Sequence, residues 1–379
     1  MAVPSTPGEN DPLVEITLGS YKNTARLATL FNGEPFDLES GEKMCPLQIA
    51  YETWGRLNED GSNAVLIVHA LTGDSHAASH NKDDREGWFE GVVGPGKVFD
   101  PEHHYIVCSN WLGSNYGSSG PTSINHSTGQ PYRSNFPVIT ISDITRTIKA
   151  LAEHLGIRKW LTMTGASIGG LIILDYAARF PYGLVSAIPI ACAFRSGPWV
   201  IAFHSIMRRI LSLGRDSGND ELYRRALETA RMVGMVSYRS RGEFTKKFQR
   251  LRAELQWQEK GCSYAVESYL LHQGSKLDRR FDPTTYEYLT RAADSFDLAE
   301  THGSLQLAAS RIRCKILAIG IDTDYLYPLE EQKEIVSEVL KAGGSAELGV
   351  ISSENGHDGF LIEFDQLSLL ISGFLGRLK

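Results

Sequence analysis

The stretch Trp160-Leu-Thr-Met-Thr-Gly-Ala-Ser-Ile-Gly-Gly-Leu-Ile-Ile-Leu-Asp-Tyr-Ala-Ala-Arg-Phe180 decides how this chain is read. Its first part, Trp160 to Thr164, is a short apolar run of strand length. Its second part, Leu171 to Phe180, repeats apolar residues at spacings of three and four, the period of a helix with a buried face. Between them stands Gly165-Ala-Ser-Ile-Gly169, a G-x-S-x-G pattern between strand and helix. A serine on so sharp a turn exposes its hydroxyl, and small flanking residues let the strand and helix backbones approach closely. The helix N-terminus beside it carries partial positive charge, which favours a developing anion. Ser167 is the candidate nucleophile.

Outward from this turn the same rhythm recurs. Ala64 to His69, Tyr105 to Cys108, Leu184 to Ala191, Ile316 to Ile319 and Glu347 to Ile351 are short, nearly continuous apolar runs. Strands apolar on both faces belong to a parallel sheet covered by helices, and segments such as Asp143 to Leu155 supply those helices. Ala25 to Phe31 and Pro46 to Thr53, separated by the turn signals Asn32-Gly33 and Ser40-Gly41, predict an antiparallel pair at the sheet edge. The alternation implies an α/β fold with a mostly parallel central sheet. It breaks between Ser196 and Gly303, where the pattern is helical. The expected division is a core of residues 15–195 and 304–379, a helical lid inserted at 196–303, and an N-terminal tail at 1–14.

Length and charge narrow the function. The chain has 379 residues, 42% of them hydrophobic and 22% charged, the proportions of a globular protein somewhat long for one core. A net charge of −7 argues against nucleic acid as a partner. That charge is uneven: Arg208 to Arg252 holds 12 Lys or Arg against 5 Asp or Glu. Such a stretch is either a solvated helix surface or a cationic rim that attracts an anionic substrate. No segment reaches the roughly 20 apolar residues of a membrane span, and Met1 to Leu18 lacks the apolar run of a signal peptide. Five dispersed cysteines, Cys45, Cys108, Cys192, Cys262 and Cys314, read as reduced thiols of a cytoplasmic protein.

A nucleophilic serine needs a base, and the base an orienting carboxylate. In α/β-hydrolases the chain order is Ser, then acid after a late strand, then His after the last strand. Here Ile316 to Ile319 leads into Gly320-Ile-Asp-Thr-Asp-Tyr-Leu-Tyr-Pro328, and the last strand leads into Glu354-Asn-Gly-His-Asp-Gly-Phe360. His357 is the candidate base, and Asp322 and Asp324 both qualify as the acid. His69, Asp74, His76 and His80 lie close together but lack a tight helical ligand pair with a distant third ligand, so no metal is expected. The loop that carries them follows the first buried strand and would supply the second oxyanion donor. The backbone N–H groups of Leu71 and Ile168 are the predicted pair.

The chain also resembles the homoserine O-acetyltransferases, a family of the α/β-hydrolase fold. The resemblance rests on Ala50-Tyr-Glu-Thr-Trp-Gly55, His69-Ala-Leu-Thr-Gly73, Gly91-Val-Val-Gly-Pro-Gly-Lys97, Gly117-Ser-Ser-Gly-Pro-Thr-Ser-Ile-Asn125, Phe136-Pro-Val-Ile-Thr140, Tyr269-Leu-Leu-His-Gln-Gly274, Asp324-Tyr-Leu-Tyr-Pro328 and Gly356-His-Asp358. It implies Asp324 as the triad acid. It also implies that Arg231 and Tyr238, within Ala230 to Tyr238, hold the substrate carboxylate, with Asp358 facing its ammonium. The implied reaction is acyl transfer from acetyl-CoA to the side-chain hydroxyl of L-homoserine, for methionine biosynthesis, ping-pong through acyl-Ser167. No separate cofactor and a homodimer joined through the lid are implied as well. Alternatives are serine as acceptor, succinyl-CoA as donor, or an ester or thioester hydrolase of the same fold. The sequence departs from the family pattern at Ser114 and Asn115, where Gly-Cys is usual, at Ile168, where Met is usual, and at Asp175-Tyr176, where Glu-Trp is usual. Ser114 and Asn115 are expected in the pocket.

Overall fold

In the computed structural model, residues 8–378 are described. Nine strands form one sheet: β1 (Leu13–Leu18), β2 (Tyr21–Leu30), β3 (Leu47–Trp54), β4 (Ala64–Val68), β5 (Tyr105–Ser109), β6 (Trp160–Ala166), β7 (Leu184–Ile190), β8 (Lys315–Ile321) and β9 (Ser345–Ile351). Their spatial order is β1-β2-β3-β5-β4-β6-β7-β8-β9. The first three pair antiparallel with their neighbours, and from β5 to β9 all pairs are parallel.

The apolar runs become this sheet because both faces are covered. All five residues of β4 are buried. Alternation sends Leu66 and Val68 into a core beneath the helices α1 (Ile141–His154) and α2 (Ile168–Arg179). Val65 and Ile67 point the other way, into a core closed by the last helix (Phe364–Gly376) through Leu367, Ile371 and Phe374. Helix α1 starts where Thr140 and Asp143 cap each other reciprocally, satisfying N–H groups the helix leaves open. Among the described residues no helix is long and apolar enough to cross a membrane, and the five cysteines are unpaired.

Two boundaries differ from expectation. Of the segment 1–14, residues 1–7 lie outside the described residues, and β1 already begins at Leu13. Asp11, just before it, accepts a hydrogen bond from the Tyr51 hydroxyl at 2.7 Å and faces His154 Nε2 at 2.8 Å. Leu13-Val-Glu-Ile-Thr-Leu18 escapes sequence reading because it is an edge strand with one fully buried residue, Ile16. The helical insertion leaves the body at Phe194–Ser196 and returns at Phe296–Leu298. There Ser196 N–H donates to the Phe296 carbonyl at 2.9 Å and Leu298 N–H to the Phe194 carbonyl at 3.0 Å. The helix Leu298–His302 therefore lies on the body side of this neck, earlier than the expected boundary at 303.

Within the insertion, α3 (Pro198–Asp216) and α4 (Asp220–Tyr238) pack so closely that a methyl group on Gly214 would sit 2.8 Å from the Ala226 side chain. Next, α5 (Ala265–Asp278) crosses α4 at Gly274, where a Cβ would lie 2.7 Å from the Glu228 carbonyl oxygen. Helix α6 (Pro283–Asp294) leads back to the neck. The C-terminal end of α4 reaches the body at Gly356, which has a φ of +65° and no room for a side chain against Ser240 N.

Candidate active site

Ser167 caps α2 with φ 57° and ψ −125°, a conformation L residues rarely adopt. Such strain costs on the order of 1–3 kcal/mol and persists only when the surroundings impose it. They do so here: Ser167 N–H donates to the Ile190 carbonyl at 2.9 Å, and its own carbonyl accepts from Leu171 at 3.1 Å. The flanking glycines are required by contact. A Cβ on Gly165 or Gly169 would stand 2.3 or 2.4 Å from the Val68 carbonyl oxygen, and one on Gly170 would stand 2.5 Å from Cys192 Sγ.

The structure separates the two aspartates. Asp324 Oδ2 lies 2.7 Å from His357 Nδ1, while its Oδ1 accepts from the Leu326 and Tyr327 amides at 2.8 and 3.0 Å. Asp322 turns away and holds Ser352 and Ser353 at 2.8 and 3.0 Å. Asp324 and His357 are both buried. Burial pulls the His357 pKa down, but the charge and hydrogen bond of Asp324, with Asp358 nearby, outweigh it and leave the pKa raised. Tyr327 stacks on the imidazole at 5.6 Å and Phe360 meets it edge-on at 5.8 Å, fixing the ring plane.

Ser167 and His357 share a small cavity of ≈ 80 Å³ with Leu71, Ile168, Arg231, Tyr238 and Asp358. The expected nucleophile, base, oxyanion donors and substrate-binding residues all line this cavity, and Asp324 stands behind His357. Neither the Leu71 nor the Ile168 N–H donates to a protein acceptor among the described residues. Ser114 and Asn115, expected in the pocket, are buried but do not line it; Asn115 Nδ2 instead faces the Arg280 carbonyl at 3.4 Å.

Arg231 stacks over the Tyr238 ring at 5.2 Å, and no carboxylate among the described residues forms an ion pair with it. Tyr238 lies 5.9 Å from His357, ring to ring. Asp358 Oδ2 lies 3.0 Å from Arg239 Nε, so the acid predicted to face an ammonium already has a cationic neighbour. His204, which sequence reading passed over, also lines the cavity and pairs with Asp294 at 2.6 Å.

The loop after β4 is pinned from behind by a residue no expectation singled out. Glu52, in the middle of β3, receives Ser75 Oγ at 2.7 Å and Asn23 Nδ2 at 2.6 Å on one oxygen. His76 Nδ1 and His80 Nε2 approach its other oxygen at 2.8 and 2.9 Å. His76 Nε2 lies 2.9 Å from the Arg85 carbonyl, so both ring nitrogens face acceptors and the ring is an imidazolium. Burial alone would raise the Glu52 carboxyl, but the His76 and His80 bonds outweigh it and hold its pKa down to about 2. His76 is raised because the Glu52 bond and charge overcome its burial. Glu52, His76 and His80 also bring side-chain nitrogen and oxygen atoms within 4.8 Å of one another, whereas His69 and Asp74, their neighbours in the sequence, stand outside this cluster. His69 instead stacks on Trp111 at 4.5 Å, and burial takes its pKa down to about 3. The signal that could have found this hub is a lone acid inside a run that otherwise reads as a buried strand.

Half of the twelve cations in the basic stretch 208–252 are held in ion pairs, six of them: Arg208, Arg215, Arg224, Arg225, Arg239 and Lys246. Arg208 pairs with Asp294 at 2.6 Å, Arg215 with Glu287, Arg224 with Asp278 at 2.7 Å, and Lys246 with Glu354 at 2.6 Å. Those acids lie outside the stretch, and tertiary packing brings them to its cations.

A family model for the alpha/beta hydrolase fold matches residues 63–363. A homoserine O-acetyltransferase of Carboxydothermus hydrogenoformans is 42% identical over 348 residues, covering 89% of this chain and 92% of that one. One from Moorella thermoacetica is 42% identical over 351 residues, covering 90% and 94%. Among solved structures, the homoserine O-acetyltransferase of Bacillus anthracis superposes with a TM-score of 0.84 at 25% identity, over 93% of this chain and 97% of that one. The esterase E22 gives the same score and identity over 93% and 99%.

Proposed function

The chain belongs to the homoserine O-acetyltransferases, acyltransferases of the alpha/beta-hydrolase fold, and from that premise we propose that acetyl-CoA donates the acyl group and that it passes through an ester on Ser167. His357 Nε2 takes the Ser167 proton as Oγ attacks the thioester carbonyl. Asp324 orients the ring and stabilises the imidazolium. The unpartnered Leu71 and Ile168 amides receive the oxyanion. The carbon–sulfur bond breaks, and the departing thiolate takes the proton from His357. Homoserine then enters, its side-chain hydroxyl gives its proton to His357 as its oxygen attacks the acyl carbon, and the bond to Ser167 Oγ breaks as that oxygen takes the proton back from His357. The kinetics are ping-pong. The O-acylated product carries a better leaving group than the free alcohol, which suits it to the methionine pathway.

The observation that carries this reading is the shared cavity. It joins a strained serine and a carboxylate-oriented histidine to Arg231, whose guanidinium has no carboxylate partner among the described residues. A guanidinium fork over an aromatic ring is suited to an amino-acid carboxylate. Asp358, half-neutralised by Arg239, supplies the acid for the ammonium. Acetyl is favoured over succinyl because Arg231 is the one Arg or Lys among the residues lining the cavity. A succinylated Ser167 would put a second carboxylate beside that of homoserine with no second cation to meet it.

The likeness to esterase E22 supports a second reading, hydrolysis, since the same fold and triad serve water as acceptor. Thiol release from acetyl-CoA with and without homoserine separates them. Release that needs homoserine and yields the O-acetyl ester supports transfer; release indifferent to homoserine overturns it. Serine and succinyl-CoA in the same assay test the remaining alternatives. The homodimer is supported by Trp199, Ile206 and Leu213, exposed apolar residues seven apart along α3. Sedimentation of the wild type against Leu213→Glu tests it, and a monomeric wild type would remove it.

A further inference from the structure

A second and larger cavity, ≈ 610 Å³, opens beside the loop after β4 and is not the one that holds Ser167. Three pieces of chain build it: the turn between β1 and β2 with Tyr21 and Lys22, the loop residue Arg85, and the end of α5 with Lys276, Arg279 and Arg280. Ser20 N–H donates to the Arg279 carbonyl at 3.0 Å, which ties the sheet edge to the helix end and sets the width of the cleft. Its volume is that of a site for an organic ligand, which is usually about 300–1,000 Å³.

The charge of this cleft has one sign. Five Lys or Arg residues line it, and no Asp or Glu does. Among the described residues, Arg85 with Asp74, at 3.7 Å, is the one ion pair that any cation of this lining forms. Lys22, Lys276 and Arg279 form none, and Arg209, Arg241, Lys247, Arg250 and Arg252, which form none either, lie outside this lining. Gathering uncompensated cations in one concave place opposes folding by mutual repulsion, and an anion that enters relieves it. The cleft is also joined to the chemistry. Arg280 Nη1 donates to the Thr72 carbonyl at 2.7 Å and to the Tyr116 hydroxyl at 2.7 Å, and Thr72 lines the Ser167 cavity next to Leu71. Arg85 is held from the other side, its side chain over the Tyr21 ring at 5.0 Å and its carbonyl facing His76 at 2.9 Å.

We infer that this cleft is the site for the phosphates of the acyl donor. Lys22, Lys276 and Arg279 take the charged nucleotide end, and Arg280 forms the wall past which the uncharged arm runs to Ser167. The inference rests on the acetyl-CoA reading above and gives that donor an address. Guanidinium groups bind phosphate through paired hydrogen bonds and lysines as point charges, so the contacts select for charge more than for the base.

The test compares two donors at saturating homoserine: acetyl-CoA and S-acetyl-N-acetylcysteamine, a thioester without phosphates. In Lys276→Glu/Arg279→Glu, the ratio of kcat/KM for acetyl-CoA over the small thioester should fall roughly 10- to 100-fold, through KM. Lys159→Glu/Lys315→Glu makes the same charge change at the N-terminal ends of β6 and β8 and should leave the ratio as it is. Adenosine 3′,5′-bisphosphate should inhibit wild type competitively against acetyl-CoA, less at high salt, and lose that effect in the cleft variant. An unchanged ratio in the cleft variant, or an equal fall in the control, overturns the inference. Calorimetry with the bisphosphate separates it from the donor reading. Binding that the cleft variant abolishes, in a wild type that does not use acetyl-CoA, keeps the anion site and removes only the donor; no binding removes the site.

Discussion

The body and the helical insertion contribute to one cavity in different ways. Ser167, His357 and Asp324 all sit on segments that follow the C-terminal ends of sheet strands, and the Ser167 turn is held by backbone hydrogen bonds and by glycines that leave no room for a Cβ. Arg231 and Tyr238 come from α4, where their surroundings are ring stacking and side-chain packing. On the proposed reading, the body holds the reacting groups and the insertion supplies what distinguishes one acceptor from another. Chemistry that must be placed to a fraction of an ångström is built on strand ends, and recognition is left to a part that can vary without moving the nucleophile.

This contrast can be broken at several points. Ser167→Ala should remove transfer and ester hydrolysis alike, by about 10⁶-fold in kcat, with an unchanged melting temperature; residual ester hydrolysis above a few per cent would place the nucleophile elsewhere. Asp324→Asn should lower kcat by about 10⁴-fold and also move the pH profile. The raised His357 pKa means the base is neutral, and active, only above a midpoint higher than the ordinary 6.5. Activity should therefore fall as pH drops through that midpoint, and the midpoint should move down in the variant, where the charge that raises it is gone. An unmoved midpoint would assign the titration to another group.

Glu52→Gln tests the body's hub. Removing one partner of a buried pair leaves the other uncompensated and should cost about 3–5 kcal/mol in urea unfolding. The sign with pH follows from both groups. Glu52, lowered to about 2 from an ordinary 4.5, contributes stability above 4.5 that is lost as pH falls toward 2. His76, raised above 6.5, contributes stability below 6.5 that is lost as pH rises through its folded value. The difference between wild type and variant should therefore be widest between about pH 4.5 and 6.5, and a flat difference would show that the two groups are not coupled. Arg231→Ala should have the smallest effect, about 10- to 100-fold in kcat/KM for homoserine, with hydrolysis of an uncharged ester such as p-nitrophenyl acetate unchanged. If both activities fall together, the insertion shapes the catalytic groups and the division of labour fails.

Much of the body was legible in the sequence because its signals are local. The apolar runs became strands within a residue or two of their expected ends, and the strained serine turn was readable from its glycines together with the strand before it and the helix after it. The edge strand Leu13–Leu18 was not, because an edge strand buries so little that it resembles a polar tail. Two aspartates two residues apart could not be told apart from spacing; the structure turns Asp324 toward His357 and Asp322 toward Ser352. Ser114 and Asn115 were expected in the pocket from the family resemblance, and packing buries them outside its lining.

By itself the sequence determined the layered α/β body, the helical character of the insertion and the candidates for a triad, Ser167, His357 and one of Asp322 and Asp324, since strand and helix periods, sharp turns and chain order are properties of neighbouring residues. The tertiary structure decided where charge is cancelled and where it is left over. The basic stretch 208–252 is neutralised in part by acids that follow it or lie far along the chain, while Lys22, Arg85, Lys276, Arg279 and Arg280, spread over some 260 residues, meet around one cleft. Charges act through space over distances shorter than the molecule, so their sum along the chain gives the net charge but not the field at any one place.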